Sequence, residues 1–163
     1  MSFVVIVALC GGYAYAAAPR NGLVGEWLFE GNANDSSGKS NHGTVHGATL
    51  IADRFWRSNG AYFFKGSNSW IQVKASESLN LTKGLTLAAW IYIKSNDSAG
   101  FAFILSKGES SSPWEFYTYQ NKLHLGLGDP NYFSGTVDLP IGKWTHVAAT
   151  WDGSKVRFYV NAV

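Results

Sequence analysis

Residues Gly84 to Lys94, GLTLAAWIYIK, carry the longest clean alternation of the chain. Leu85, Leu87, Ala89, Ile91 and Ile93 fall on one side. Thr86, Ala88, Trp90, Tyr92 and Lys94 fall on the other. Side chains of a strand repeat with period two, so this pattern predicts a strand with one face on a core and the other carrying aromatic and polar groups. The same reading predicts a first strand at Leu23 to Phe29, followed by a Gly/Asn/Asp/Ser-dense loop from Glu30 to Gly47. Ala61 to Phe64 and Trp70 to Lys74 read as a hairpin across Lys65 to Ser69, and Leu79 to Lys83 as a polar connection with room for one helical turn. Phe101 to Lys107 is a further strand. Trp114 to Tyr119 and Lys122 to Gly126 pair across the two-residue turn Gln120-Asn121. After a loop at Gly128 to Gly135 and a segment at Thr136 to Leu139, Trp144 to Trp151 and Lys155 to Asn161 form a strand, turn and strand around Asp152-Gly153-Ser154.

That is about ten short strands with turn signals every ~8–12 residues, the pattern of a sandwich or barrel. No segment sustains helical periodicity, and no repeat or linker divides the chain. The 163 residues suit one domain with a sizeable core. Composition agrees with the all-β reading: aromatic residues make up 15% and charged residues 15%, with 18 Gly. The net charge of +2 comes with no basic stripe, which argues against nucleic acid as a partner.

Phe3 to Cys10 is apolar, and Ala14-Tyr15-Ala16 and Ala16-Ala17-Ala18 both offer small-x-small cleavage sites before Pro19. Residues 1–18 therefore read as a secretory signal, although no Lys or Arg precedes the apolar run. A short membrane anchor or a buried strand is the alternative, but the run is short and rich in Gly and Ala for a membrane span. With the signal removed, Cys10 goes with it, and the mature chain has neither a cysteine nor a membrane span. The expected location is secreted, periplasmic or cell-surface.

Several motifs then fall in a telling order. They are Leu23 to Gly31 (LVGEWLFEG), Ala33 to Thr44 (ANDSSGKSNHGT), Leu85 to Ile93, Lys143-Trp144-Thr145-His146-Val147-Ala148 with Thr150-Trp151-Asp152-Gly153, and Val156 to Asn161. Together they resemble the LamG-like jellyroll domains of the concanavalin A-like lectin/glucanase superfamily. The resemblance implies a two-sheet antiparallel jellyroll β-sandwich over residues 19–163. It departs from the family in two places. Ala162 stands where the family has Gly, and the family continues through further strands beyond this hairpin, so the expectation is an incomplete domain lacking its last strands.

Four kinds of chemistry merit weighing. Asn32, Asn34, Asp35 and Asn41 share one Gly-rich loop, and the resemblance implies a structural calcium near it, with Asp35, Asn32 and Asn41 as candidate ligands. Calcium takes roughly six to eight oxygen ligands. The alternative is an Asx-turn loop in which Asp35 bonds its own backbone. Glycoside hydrolysis needs two carboxylates ~5–9 Å apart. The family's Glu-x-Asp-x-x-Glu triplet does not occur here, Glu26 and Glu30 straddle a turn, and Glu115 is alone on its strand. His42, His46, His124 and His146 show no zinc spacing. Last, Trp114, Tyr117, Tyr119, Tyr132, Phe133 and Trp70 lie beside polar loops. Sugars present apolar C–H faces that stack on aromatic rings, and Trp114, Tyr117, Tyr119 and Tyr132 are the candidates for such a platform. Core packing is the alternative for each of them, and Trp27, Trp90, Trp144 and Trp151 read as structural.

The sequence therefore points to an exported, non-catalytic recognition module whose ligand is a glycan or a cell-surface or extracellular protein. The alternatives are an accessory or catalytic fragment of a glycoside hydrolase, or a structural, adhesive module of a larger surface protein. Asn34-Asp35-Ser36, Asn80-Leu81-Thr82 and Asn96-Asp97-Ser98 are glycosylation sequons if the chain passes through a eukaryotic secretory pathway.

Overall fold

The computed structural model describes residues 19–94, 100–108 and 114–162. The expected signal at residues 1–18 and the sequon Asn96-Asp97-Ser98 lie outside the described residues. The chain is all-β, as the alternation predicts, and no α-helix occurs among the described residues. It divides into two compact units, the first ending at Leu85 and the second beginning at Thr86.

The first unit holds β1 (Gly43–His46), β2 (Thr49–Ile51), β3 (Ala61–Phe63) and β4 (Trp70–Val73). Two expectations fail here. The strands Ala61 to Phe64 and Trp70 to Lys74 do not form a hairpin: β3 pairs with β2, and β4 pairs antiparallel with β1, with His46 opposite Trp70. A single 3-10 turn at Gly66–Asn68 carries the chain between them. The segment from Glu30 to Gly47 is also not all loop, since its end forms β1. The sequence pattern does not disclose these partners because β1 and β2, at 4 and 3 residues, are too short to show an alternation of their own.

Leu23 to Phe29 does not form the expected strand: it makes one bridge, Trp27 to Asp35, and Phe29 turns away with φ of 59°. Side chains replace the ladder instead. The Glu26 N–H donates to Asp35 Oδ1 at 2.9 Å, and the Ser36 N–H donates to the Glu26 carbonyl at 2.8 Å. Trp27, Leu23, Val24, Ala33, Leu79 and Leu81 are buried in this unit. The Trp27 indole Nε1–H donates to the Asn41 carbonyl at 2.9 Å, which satisfies the polar end of a buried ring.

The second unit holds all but the first residue of β5 (Leu85–Tyr92), then β6 (Ala102–Lys107), β7 (Trp114–Tyr119), β8 (Lys122–Gly126), β9 (Tyr132–Ser134), β10 (Trp144–Trp151) and β11 (Val156–Val160). They make two sheets, ordered β11-β10-β5 and β6-β7-β8-β9. Alternation decides what each strand buries. Leu85 and Leu87 of β5 and Thr145, Val147 and Ala149 of β10 are buried. On the other sheet Trp114, Phe116, Leu123 and Leu125 are buried. Fully burying an aliphatic or aromatic side chain contributes ~1.5–3 kcal/mol, so this buried row is a main source of the unit's cohesion.

The far face of β5 carries its aromatics. Trp90 packs on His146 with ring centroids 5.4 Å apart, and Tyr92 meets Trp144 edge to face at 5.7 Å. They cover their own sheet.

Both predicted tight turns form. Gln120 and Asn121 each have positive φ, 48° and 61°, as a two-residue hairpin turn that follows the strand twist requires. Asp152 Oδ1 accepts from the N–H groups of Ser154 and Lys155 and so closes the turn before β11. Within the expected loop Gly128 to Gly135, Tyr132–Ser134 adds β9 to the edge of its sheet.

Candidate functional site

The four-stranded sheet β6-β7-β8-β9 has one buried face and one face lined by aromatic and polar groups. Register fixes which residues meet on the second. Phe103 lies opposite Tyr117, Tyr117 opposite His124, and His124 opposite Ser134. One row along, Ser106 lies opposite Glu115, Glu115 opposite Gly126, and Gly126 opposite Tyr132. Partners directly across an antiparallel pair share a face. Tyr119 closes the end of this row, and Phe101 stacks on it with centroids 4.7 Å apart and planes 15° from parallel.

Phe101, Phe103, Glu115, Tyr117 and Tyr132 line a groove of about 400 Å³. That size falls in the lower part of the range for small-ligand clefts, roughly 300–1,000 Å³. Tyr117 is its floor, only 6% exposed, held between Phe103 at 5.5 Å and His124 at 5.2 Å. Tyr132, 55% exposed, and the exposed Phe101 and Phe103 offer ring surface to solvent. Burial, and after it the Glu115 carboxylate, holds the Tyr117 phenol above its ordinary pKa.

His124 braces the floor from the next strand. Its Nε2 lies 3.2 Å from the Tyr119 carbonyl and its Nδ1 lies 3.0 Å from Ser134 Oγ. A neutral ring satisfies both, donating from Nε2 and accepting at Nδ1. Burial pushes its pKa below the usual histidine value, assisted by nearby Lys122 and opposed by the bond to the Tyr119 carbonyl. Lys122 itself is paired with Asp138.

Of the expected platform residues, Tyr117, Tyr119 and Tyr132 come together on this face. Trp114 does not. It shares the opposite face of β7 with Phe116 and is 4% exposed, because one residue of alternation separates it from Glu115 and three separate it from Tyr117. Phe133 lies opposite Leu125, on the buried side, and Trp70 stacks on His46 in the first unit.

Phe101, Phe103, Glu115, His124 and Gly126 complete the groove and were not placed there from sequence. A β-bulge between Phe103 and Leu105 hid the arrangement. Simple alternation puts Phe103, Leu105 and Lys107 on one face, whereas the bulge puts Ser106 on the face of Phe103 and turns Leu105 to the side of Phe116.

The Asp35 loop has a different character. Asp35 is 7% exposed, and both carboxylate oxygens are engaged. Oδ1 accepts from the N–H groups of Glu26 and Ser37 at 2.9 and 2.8 Å, and Oδ2 accepts from Ser37 Oγ and the Asn41 N–H at 2.8 and 2.9 Å. Asn41 spends its own amide on the Val24 carbonyl, Ser78 Oγ and Ser76 Oγ. Asn32 Oδ1 accepts from the Asn34 N–H. All of these donors point protons at the oxygens a cation would need. In this arrangement the set ties a loop and does not fit a calcium ion. Among the described residues no cluster of three or more His, Cys, Asp and Glu side chains could hold a metal. The carboxylate reads as a loop organiser, the Asx-turn alternative.

Glu26 is buried and paired with Arg20 at 2.7 Å, while Ser36 Oγ donates to it at 2.8 Å. Its carboxylate is committed to the fold.

Comparison with known proteins agrees with this architecture. Residues 65–163 match the Laminin_G_3 family, described as the concanavalin A-like lectin/glucanases superfamily. The matched span contains the groove, whereas the Asp35 loop lies outside it. The chain is also similar to pentraxin-related protein PTX3 of Bos taurus, at 27% identity over 73 residues, which cover 43% of this chain and 19% of that protein. The chain thus spans about a fifth of the length of that relative. No solved structure matches. With more than half of its length matched, the chain belongs to the laminin G-type family of the concanavalin A-like lectin/glucanases superfamily.

Proposed function

We propose that the chain is an exported, non-catalytic recognition module that binds a glycan in the groove over Tyr117. The observation that carries this reading is the pairing of exposed Phe103 and Tyr132 rings with a half-buried carboxylate on a rigid four-stranded sheet. Sugar rings stack their C–H faces on such rings, and polar groups at the groove select among hydroxyls and substituents. Membership of a lectin-like superfamily supports the reading at the level of class. Catalysis is disfavoured because Glu115 is the one carboxylate among the groove's lining residues, and glycoside hydrolysis employs two, ~5–9 Å apart. Export rests on the pattern of residues 1–18. Among the described residues no helix is long and apolar enough to cross a membrane.

The test is a glycan array on the full chain, followed by calorimetry with Tyr132→Ala and Phe103→Ala. Each variant is expected to weaken binding by about tenfold, in line with the loss of one stacking partner. No binding by the parent chain, or binding that neither variant weakens, would overturn the proposal.

A second reading, adhesion to a surface or matrix protein, is favoured by Trp56. It is 89% exposed with φ of 63°, at the tip of a turn clamped by Asp53, whose Oδ1 accepts from the N–H groups of Phe55 and Arg57. Bulky residues rarely take that backbone conformation, and strain of this kind gathers at functional positions. Loss of adhesion to immobilised matrix protein in Trp56→Ala, with glycan binding intact, is the result this reading expects. Unchanged adhesion would remove it.

A further inference from the structure

Glu115 is the odd group in the groove. It sits mid-strand in β7, half-buried, with aromatic rings around it. None of the ion pairs Arg20–Glu26, Arg57–Asp53, Lys122–Asp138 and Arg157–Asp152 involves Glu115. Among the described residues no hydrogen bond reaches its carboxylate either. Lys122, opposite Tyr119 on this face, is committed to Asp138. A carboxylate held half out of water without a partner is costly, and its surroundings favour whatever cation can reach it.

The residues beside it suit one. Gly126 lies across from both Glu115 and Tyr132. A methyl group placed on Gly126 would lie 3.4 Å from Glu115 Oε2 and 3.1 Å from Tyr132 Cε1. Contacts that short show the tyrosine ring packed close over the glycine and next to the carboxylate, where a larger residue would force the ring away. A carboxylate next to aromatic rings is a setting for an ammonium group, because opposite charge and the negative faces of the rings attract it together. A neutral hydroxyl would leave the charge uncompensated, and a uronate or sulfate would be repelled.

We propose that the glycan bound in this groove carries a free amine, held as an ammonium ion by Glu115 while the sugar rings stack on Tyr132 and Phe103. The ligand class is thus an amino sugar that lacks its N-acyl group. This inference rests on the glycan reading above and narrows it.

The test is calorimetry of the full chain with matched β-1,4-linked oligomers of glucosamine, N-acetylglucosamine and glucose, and with an acidic uronate oligomer. The glucosamine oligomer is expected to bind about tenfold tighter than the two neutral ones, the scale of a hydrogen bond to a charged group, and the uronate weakest. Glu115→Gln should erase the advantage of the amine over the neutral oligomers, with a melting temperature that does not fall as the control for folding. Equal binding of the amine and neutral oligomers, unaffected by Glu115→Gln, would overturn this inference and leave the glycan reading standing. Absence of binding to all four by a folded chain would overturn both.

Discussion

Asp35 shows how one side chain can stand in for a strand. Burial alone would raise its pKa, yet the hydrogen bonds from the Ser37, Glu26 and Asn41 N–H groups and the Ser37 hydroxyl outweigh it and hold the carboxyl below its ordinary value. A folded-state pKa below the unfolded value means stability that is present above about pH 4 and is lost as the pH falls through the folded value. Asp35→Asn turns one accepting oxygen into a donor facing Ser37 Oγ or the Asn41 N–H. It is expected to cost ~2–4 kcal/mol at neutral pH in urea unfolding and to flatten the acid limb of the stability curve. Millimolar calcium should leave the melting temperature of the parent chain unchanged. A rise of several degrees would show that these oxygens rearrange around a cation. At the other end of the chain, Ala162 has φ of 68°, where a Cβ is strained and glycine is not. Ala162→Gly is expected to raise stability by ~1 kcal/mol, and a loss would contradict the strain argument. The departure from the family pattern at Ala162 was visible in the sequence. The roles of Asp35 and Asn41 as loop ties were not, because carboxamides and carboxylates in Gly-rich loops serve cations and backbone N–H groups equally well.

At the scale of elements, the β7–β8 hairpin is where reading and structure agree most closely. Its strands, its turn and its register follow from an alternation broken by Gln120-Asn121. Asn121 also fastens the turn to the following segment, its Nδ2 donating to the Leu139 carbonyl at 2.8 Å. His124 gives this hairpin a pH response. Its lowered pKa means that the unfolded chain binds the proton more tightly, so the contribution is present above about pH 6.5 and is lost as the pH falls further. Melting at pH 7.5 and pH 5.5 should show a larger fall for the parent chain than for His124→Gln, which keeps hydrogen-bonding capacity without the titration. Equal falls would contradict the assignment. The neighbouring β6 was legible as a strand but not as a groove wall. Its bulge reverses the facing of every residue beyond Phe103, and nothing in Phe101 to Lys107 marks where an extra residue enters. Pairing of β1 with β4 was likewise illegible, because proximity along the chain favoured a hairpin of β3 with β4.

For the molecule as a whole, the all-β class followed from alternation, turn density and aromatic composition, and family membership from the ordered motifs between Leu85 and Asn161. Three of the four expected platform residues share one face because Tyr117 and Tyr119 are two apart on one strand and Tyr132 joins by edge pairing. Trp114 fell away through parity. We propose this face of the second unit as the binding surface. Its most direct test is a ¹H–¹⁵N correlation spectrum of the full chain titrated with the tightest-binding oligosaccharide. Shifts are expected at Phe103, Glu115, Tyr117, Gly126 and Tyr132, with the Asp35 loop and the Trp56 turn unmoved. Shifts centred on the Asp35 loop or on the Trp56 turn, with the β6-β7-β8-β9 face silent, would contradict the account.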